Sequence, residues 1–373
     1  MTITITKIES VLLSVPRKKG FSPAEVLLVK IHASDGKSGI GSCQYEFRYG
    51  EAASEAVQLV KNYYAPLLLN ESPLTVEPLM SKLDRFIPGH LASKATIDIA
   101  LHDLKGKILN VPVYELLGGL ARPKVQLLAP QIPRADAKTQ ATEAARLIEQ
   151  GFKALKLRAG GSDVEDDVHR VREVRQAVGP SVEIRIDANE YYDPMSAVRL
   201  VKKLEPYELA WVEDPLPGWD FEGFATVRSK ISVPLEYGQL GTTVEMLRLI
   251  RMEAADCFKM KVVRGGGLLN CKKAAAIAET ASKFMVSGSG SDTDINFAAE
   301  VAFNVSTLHM TKALESTGAW FIYPPESRLV KNPLVIKDGY AYPSDTPGLG
   351  VELIDDDFAA LEKRFPFQGR TAR

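Results

Sequence analysis

The alternating segment Val182-Glu183-Ile184-Arg185-Ile186-Asp187-Ala188-Asn189 is the strongest fold signal in this chain. Its two isoleucines fall on one face of the predicted strand, and its charged residues fall on the other. Helical patterns flank the segment on both sides, which is typical of a parallel sheet that is covered on both faces. Because an unpaired buried carboxylate costs several kcal/mol, the charged face must contact other charges or a cation.

Three neighbouring segments bring charge to the same end of the predicted sheet. The segment Ala154-Leu155-Lys156-Leu157-Arg158 places its leucines on one face and its two cations on the other. Leu209–Glu213 ends on an acid, and Phe258–Lys261 carries two lysines on one face. In a closed (β/α)8 barrel, active sites form at the carboxyl ends of the strands. The pattern therefore predicts a barrel with a charged mouth.

A unit of short apolar strand, loop and helix repeats from about residue 126, at spacings of about 20–30 residues that are typical of βα units. The predicted strands lie near 126–129, 154–158, 183–187, 209–213, 233–237, 257–261, 284–287 and 319–322. The predicted helices lie at about 136–150, 164–178, 195–205, 220–229, 243–252, 268–282 and 294–304. The predicted fold class is therefore α/β, with a modified (β/α)8 TIM-type barrel.

The residues before the barrel have a different pattern, which predicts an N-terminal α+β capping domain. Its strands are expected at Lys7–Val15, Val26–Ala33 and Ile40–Tyr45, and its helices at 51–69, 73–86 and Ser93–Leu109. The C-terminal segment is rich in Pro, Gly and Asp and is expected to return to the capping domain. The expected domains are 1–125, 126–322 and 323–373.

Composition and charge narrow the classes of function. The chain has 373 residues, of which 45% are hydrophobic, and this supports a sizeable core. The formal net charge of −1 gives no reason to expect nucleic acid or an anionic membrane as a partner. Cys43, Cys257 and Cys271 share no metal-ligand spacing, so a reducing, cytoplasmic compartment is expected. Neither a signal peptide nor an apolar run as long as a membrane span is evident in the sequence.

Two consecutive segments carry a resemblance to a known family. Residues 94–107 read KATIDIALHDLKGK, and residues 111–119 read VPVYELLGG. Both resemble the signature of the enolase superfamily, and the branch they resemble most is that of the mandelate racemase and muconate-lactonizing enzymes. The resemblance covers nearly the whole chain, and it implies a capping domain, a modified barrel and a C-terminal return.

The resemblance implies a chemistry in which a divalent metal, usually Mg2+, holds the carboxylate of a small acid while a base removes the proton on the adjacent carbon. Such a proton is very weakly acidic, so the dianionic intermediate needs concentrated positive charge. Asp187 and Glu213 match two of the family's metal ligands, and hard cations prefer such oxygen ligands.

The third metal ligand departs from the family's pattern. Relatives carry an acid at the place of Gly238 or of Gln239, and this chain carries neither. Gln239 can offer a neutral carbonyl oxygen, although a hydrogen-bonding role in the barrel explains it as well. Glu236 lies on the same strand face as Gly238 and is an alternative ligand from lower in the barrel. The expected Mg2+ ligands are Asp187, Glu213 and Gln239.

The bases also depart from the family's pattern. The Lys-x-Lys pair of the second barrel strand is Lys156-Leu157-Arg158 here, and arginine is a poor base but a good carboxylate clamp. Lys261 matches the opposite lysine of the muconate-lactonizing relatives, and Asp292 matches an acid that contacts the substrate carboxylate. Lys259 is expected to pair with an acid. Mandelate racemase-like relatives use a histidine near the seventh strand, and Ser287–Gly290 has none.

One competent lysine favours single-base chemistry, that is dehydration, elimination or cycloisomerisation of a small carboxylate substrate. Racemisation by two bases needs a proton donor and an acceptor on opposite faces. A different interpretation also stays open. Asp187 and Glu213 can be buried partners of Lys156 and Arg158 with no metal, and the chain can be a pseudoenzyme or a carboxylate-binding protein.

The resemblance also implies a role for the capping domain and an assembly state. The capping loops Pro16–Pro23 and Ser42–Tyr49 are expected to cover the barrel mouth and select the substrate. Because relatives commonly form dimers or octamers, a homo-oligomer is expected.

Overall fold

In a computed structural model, which describes residues 2–45, 50–161, 163–288 and 292–369, the chain begins with a three-stranded antiparallel sheet. The strands are β1, Ile5–Val15, β2, Ala24–Ala33, and β3, Ser38–Gln44. β2 is the central strand, since it pairs with both neighbours, and it is buried along most of its length. The three strands predicted from the sequence are confirmed.

Helices follow this sheet. They are α1, Ala53–Leu59, α2, Ala65–Leu68, α3, Val76–Phe86, α4, Leu91–Leu109, and α5, Val113–Leu116. The single helix expected at 51–69 is interrupted by a π-helical turn at Val60–Tyr64. Pro66 follows this turn, and its missing amide and bulky ring disturb the hydrogen-bond ladder of a continuous helix. Among the described residues, no helix has both the length and the apolar character needed to cross a membrane.

The long helix α4 packs directly on β3 because two glycines leave no side chain between them. A Cβ atom on Gly41 would overlap the carbonyl oxygen of Thr96, and one on Gly39 would overlap that of Ala100. Residues 92–104 of α4 are buried without exception. The helix therefore forms the centre of the capping domain.

The next part of the chain alternates strands and helices, as predicted. The strands are β4, Val125–Gln126, β5, Ala154–Arg158, β6, Glu183–Asp187, β7, Trp211–Glu213, β8, Leu235–Tyr237, β9, Cys257–Lys259, and β10, Phe284–Val286. The helices are α6, Ala137–Glu149, α7, Val164–Val178, α8, Pro194–Leu204, α9, Phe221–Arg228, α10, Thr243–Arg251, α11, Leu268–Thr280, and α12, Asp294–Val305. Strands β5 to β10 form one parallel sheet in chain order.

The faces of β6 are divided as the sequence predicts. Ile184 and Ile186 belong to the apolar core that the strands share with the outer helices. Arg185 and Asp187, on the opposite face, are buried with at most 4% of their surface exposed. The charged face therefore points to the inside of the barrel, where it meets the charged faces of the other strands.

The barrel closes through a short segment that the sequence analysis placed wrongly. The eighth strand was expected at 319–322, but Gly318–Ile322 forms a π-helical turn. Residues 313–315 close the barrel instead. Leu128 donates its amide to Leu314 at 2.9 Å, and Glu315 donates its amide to Ser287 at 3.0 Å. A short apolar run has the same pattern in a buried helical turn as in a buried strand, which explains the error.

The C-terminal residues contact both of the preceding units. The hairpin β11, Ile336–Lys337, and β12, Tyr340–Ala341, pairs with β4. A last helix, α13, Phe358–Arg364, packs beside β1, and the amide of Ser14 donates to Phe365 at 3.2 Å. The boundaries 1–125, 126–322 and 323–373 stay a prediction.

The acids of the helical signature join these units. Asp98 of α4 accepts a 2.6 Å hydrogen bond from the amide of Leu268, at the start of α11 in the barrel. Asp103 accepts from the amide of Ile40 in β3 and from that of Leu349 in the C-terminal segment, both at 2.8 Å. Both carboxylates are fully buried. The signature thus holds the capping sheet, the barrel and the C-terminal return together.

We expect the substitution Gly41→Ala to destabilise the protein by about 2–3 kcal/mol, because the added methyl group overpacks the contact between β3 and α4. Urea denaturation measures the change. Gly241→Ala is the control, since its added atom would lie 3.7 Å from the nearest side-chain atom. An equal loss of stability in the two variants would contradict the close-packing argument.

Candidate active site

Four neighbouring strands bring a charged residue to one level of the barrel. The register pairs Arg158 at the end of β5 with Asp187 at the end of β6. It pairs Asp187 in turn with Glu213 of β7, and Glu213 with Glu236 of β8. Parallel strands end at the same side of a barrel, so these side chains form one charged ring at its mouth.

Lys156 is the centre of this ring. Its Nζ lies 2.8 Å from an oxygen of Glu315, 3.0 Å from Glu213 and 3.4 Å from Asp187. The Arg158 guanidinium lies 2.9 Å from the same Asp187 oxygen. The structure therefore brings together two predicted cations and two predicted metal ligands, and it joins them by direct ion pairs.

A second group of charges surrounds Glu315, a residue that the sequence analysis missed. Lys259 contacts Glu213 and lies 3.1 Å from Glu315. Arg185 lies 2.8 Å from the other Glu315 oxygen and over the ring of Trp211. The expectation that Lys259 pairs with an acid is confirmed. No strand pattern surrounds Glu315 in the sequence. The one signal that could have indicated it is the need of the inward-facing basic residues Lys156, Arg185 and Lys259 for a further acid.

These ion pairs determine the charge states at the mouth. Burial would raise the pKa of Asp187, but Lys156 and Arg158 outweigh it and hold that pKa below its usual value. Burial would likewise raise the pKa of Glu315, whose three cationic neighbours hold it well below the usual range. Burial would lower the pKa of Lys156 and of Lys259, but the acids around them raise both. All four groups are therefore charged near neutral pH.

Two further acids are in a different state, namely Asp214, which follows β7, and Glu236 of the ring. Burial, and then the Glu213 carboxylate, raise the pKa of Asp214 to about 7. The same two causes raise the pKa of Glu236 well above its usual value, and its Oε2 has no hydrogen-bond partner among the described residues. Asp214 also has a positive φ of 41°, a conformation that side chains other than glycine rarely adopt. Glu236 therefore adds little negative charge to the mouth near neutral pH, whereas Asp214 is about half ionised there.

The place of the third ligand is filled by hydrogen bonds. Asp214 accepts from the amide of Gly238 at 2.7 Å and from the side-chain amide of Gln239 at 2.6 Å. The side-chain oxygen of Gln239 accepts from Arg264. Gln239 is thus held on the Asp214 and Arg264 side of the ring, and its role as a metal ligand stays a prediction.

The acids at the mouth include a cluster of a kind that can hold a metal. One oxygen each of Glu213, Glu236 and Glu315 lies within 4.8 Å of the others. Lys156 and Lys259, however, already occupy the oxygens of Glu213. The expected Mg2+ ligands, Asp187, Glu213 and Gln239, also include only two acids. The donors present therefore do not fit the divalent metal that the resemblance implies.

The predicted base lies on the other side of the mouth. Lys261 follows β9 directly, and the next residue, Val262, donates its amide to Glu300 at 2.9 Å. Burial, and then Asp292, raise the pKa of Glu300 to about 8. Asp292 is buried and accepts a 2.9 Å hydrogen bond from Ser316. Lys261 and Asp292 are therefore brought to one side of the barrel, together with an acid that the sequence analysis missed.

Parts of the capping domain reach the barrel mouth. The amide of Lys18, in the loop Pro16–Pro23, donates to Ile322 at 3.0 Å, and its ammonium group lies over the ring of Phe321. Ser42 of β3 donates to Asn296 of α12 at 2.6 Å. Residues 46–49 of the second predicted loop, and residues 289–291 beside Asp292, lie outside the described part of the chain.

A cleft of about 450 Å3 opens beside the ring. Gln239 and Arg264 form its wall towards Asp214, and Tyr237 and the exposed Trp219 form its aromatic sides.

Comparison with known protein families shows which family the chain belongs to. Residues 139–357 match the enolase C-terminal domain-like family, and residues 8–118 match the N-terminal domain of the mandelate racemase / muconate lactonizing enzyme family. The chain belongs to the mandelate racemase/muconate lactonizing enzyme family. This assignment confirms the resemblance found in the sequence and the modified barrel with its capping domain.

Individual members of this family are similar along most of their length. An N-succinyl-L-Arg/Lys racemase from Bacillus cereus is 29% identical over 91% of both chains. A chloromuconate cycloisomerase from Cupriavidus necator is 29% identical over 83% of both chains. The structure of a family protein from Azoarcus sp. EbN1 superposes with a TM-score of 0.87 and 30% identity over 99% of both chains. The chain is thus an isomerase-type enzyme of a family that acts on small carboxylates and typically uses Mg2+.

We expect Glu315→Gln to destabilise the protein by about 3 kcal/mol, because breaking a buried ion network leaves uncompensated cations. Urea denaturation at neutral pH measures the loss. Glu279→Gln, on the exposed face of α11, is the matched control. If both variants were as stable as the parent protein, the network would not be the buried constraint described above.

The raised pKa of Glu300 predicts a pH dependence of stability. The folded protein keeps this proton up to about pH 8, whereas the unfolded chain releases it near the usual value of 4.5. Stability is therefore lost as the pH rises between these values. We expect Glu300→Gln to gain on the order of 2 kcal/mol at about pH 8, since one pKa unit is worth about 1.4 kcal/mol.

Thermal denaturation of this variant at about pH 5 and about pH 8 checks that expectation. The gain over the parent protein should shrink towards pH 5, and the exposed control Glu279→Gln should show no gain at either pH. A constant difference would mean that Glu300 is ionised throughout.

Proposed function

We propose that the protein removes the proton next to the carboxylate of a small acid, with Lys261 as the base and with Lys156 and Arg158 as the groups that bind and neutralise the carboxylate. The observation that carries this proposal is the placement of one lysine opposite one arginine across the barrel mouth. Asp292 is proposed to contact the substrate on the Lys261 side.

The order of the strands supports that placement. Three strands, β6, β7 and β8, separate β5 from β9 on one side of the barrel. On the other side β10, the closing segment 313–315 and the segment at Leu127 separate them. Arg158 ends β5 and Lys261 follows β9, so the two residues stand on opposite sides of the opening.

Lys261 and Arg158 stand on opposite sides of the mouth and differ in basicity, and this difference favours a reaction with one base. The neutral amine of Lys261 accepts the proton, and the electron pair of the broken C–H bond moves into an enediolate. That electron pair then forms a carbon–carbon double bond and expels a group from the neighbouring carbon. In a cycloisomerisation the expelled group is the ring oxygen, so the ring C–O bond breaks; in the reverse direction this bond forms and the α-carbon takes the proton from Lys261. The guanidinium group of Arg158, like that of any arginine, is a poor proton donor or acceptor from the opposite face. Dehydration, elimination and cycloisomerisation are therefore favoured over racemisation.

The predicted Mg2+ and its ligands Asp187, Glu213 and Gln239 are left out of these steps, because the donors present do not fit the ion. The carboxylate instead meets the cations of the mouth, which are fixed in place before it binds. Preorganised charges of this kind stabilise a developing anion without reorganising during the reaction.

Exchange of the substrate proton in D2O tests the proposal. The panel contains N-succinyl amino acids and the lactone that cyclisation of chloromuconate gives, both suggested by the relatives, together with β-hydroxy acids. Proton NMR should show loss of the α-proton signal for at least one acid. We expect Lys261→Met to slow this exchange by at least about 100-fold, the usual contribution of a general base.

The exposed Lys230→Met is the control and should keep the parent rate. Arg158→Lys, which restores the family's lysine pair, should add exchange from the opposite face and turn a stereospecific exchange into racemisation. Binding of an acid without any exchange would instead support the carboxylate-binding alternative. Racemisation that survives in Lys261→Met would overturn the assignment of the base.

A further inference from the structure

Every oxygen of three acids at the barrel mouth, Asp187, Glu213 and Glu315, already has a partner within the protein. The two oxygens of Glu213 contact Lys259 and Lys156. Those of Glu315 contact Arg185 on one side and both lysines on the other. One oxygen of Asp187 accepts a 2.9 Å hydrogen bond from the amide of Asn189. The other oxygen contacts the cations of Lys156 and Arg158. A metal ion could reach Glu213, Glu315 or the Asp187 Oδ2 atom only by displacing a cation, and the Asp187 Oδ1 atom is already held by a backbone amide.

The glycine at the place of the third ligand makes room for one of these ion pairs. A Cβ atom on Gly238 would lie 2.7 Å from Glu213 Oε1, the oxygen that contacts Lys259. Any side chain at this position would therefore displace that oxygen or the ammonium group on it. The loss of the acid and the contact between Lys259 and Glu213 are parts of one arrangement.

The strand register places Lys259 at this level of the barrel. β8 and β9 pair Glu236 with Cys257. Two residues further along the chain, Gly238, which follows β8, is level with Lys259, the last residue of β9. Lys259 thus places its charge beside the position where Gly238 has no side chain, and it is buried there with 4% of its surface exposed.

We propose that the ammonium groups of Lys259 and Lys156 take the place of a divalent cation in this protein, which binds carboxylates at its barrel mouth without a metal. The proposal rests on the proposed function for the identity of the ligand, a small carboxylate. A divalent ion at Glu213 would have to expel both ammonium groups, which would then lie buried beside a double positive charge. Lys259 is in this arrangement a positioning residue, since it acts through Glu213.

Binding of Mn2+ and Mg2+ to the EDTA-treated full-length protein tests this proposal. Electron paramagnetic resonance follows free Mn2+, and calorimetry follows Mg2+. The parent protein should show no saturable binding of either ion at millimolar concentrations. Lys259→Met keeps the length of the side chain and removes its charge, so it should bind Mn2+ at least tenfold more tightly than the parent protein. Asp187→Asn in the Lys259→Met background should remove the gain.

Lys230→Met is the matched control, an exposed lysine changed in the same way, and it should behave like the parent protein. Saturable binding to the parent protein that disappears in Asp187→Asn would overturn the proposal. So would a folded Lys259→Met with no gain in affinity for Mn2+. If that variant does not fold, the titrations of the parent protein and of Asp187→Asn still decide.

The proposal of a metal-free site and the proposed function can fail independently of each other. Proton exchange that proceeds in EDTA supports both. Exchange that requires an added, Asp187-dependent metal leaves the proposed function standing and overturns the metal-free site. Calorimetry with succinate in EDTA gives a third readout. Binding of succinate that is lost in Arg158→Met but kept in Lys230→Met supports the cationic mouth even where no exchange is found.

Discussion

The buried ion network around Glu213 and Glu315 is the constraint on which the barrel depends. Parallel strands end at the same level, so each charged residue on an inner face meets the charged residues of its neighbours. Removing one partner from such a network leaves a buried charge uncompensated, at a cost of about 3–5 kcal/mol. The strands can therefore close only in a register that joins Lys156, Lys259 and Arg185 to these acids. The same charges would also give the mouth the affinity for a carboxylate that we propose.

The capping domain is held to the barrel by a related device. Asp98 and Asp103 are buried acids that accept hydrogen bonds from backbone amides in other parts of the chain. The glycines of β3 let α4 approach the sheet closely enough for Asp103 to reach Ile40, and Gly267 leaves room for Asp98 beside the start of α11. The helical signature therefore reflects packing and hydrogen bonding between units, whereas the residues of the proposed chemistry lie in the barrel. The loop residue Lys18 and the strand residue Ser42 add contacts with Ile322 and with α12.

The sequence was most informative where two independent signals agreed. An alternating segment such as Glu183–Asp187, followed by a helix at the right spacing, allowed the strands β5 to β10 to be predicted. The segment 313–315 has neither signal, because it is too short to alternate and a π-helical turn follows it. Glu315 was missed for this reason. The hydrogen bonds of Gln239 could not be predicted either, since they depend on the unusual backbone of Asp214.

The departures from the family's pattern are easier to understand together than one by one. A site of three carboxylates and one divalent cation carries a single net negative charge, and so do the three carboxylates Asp187, Glu213 and Glu315 with the two ammonium groups of Lys156 and Lys259. Replacing the third acid by Gly238 and placing the ammonium of Lys259 beside Glu213 would therefore leave the formal charge of the proposed site unchanged. Either change alone would leave a buried imbalance, which is costly where water is excluded. The balance of charge is thus a physical reason for Gly238 and Lys259 to occur in the same chain.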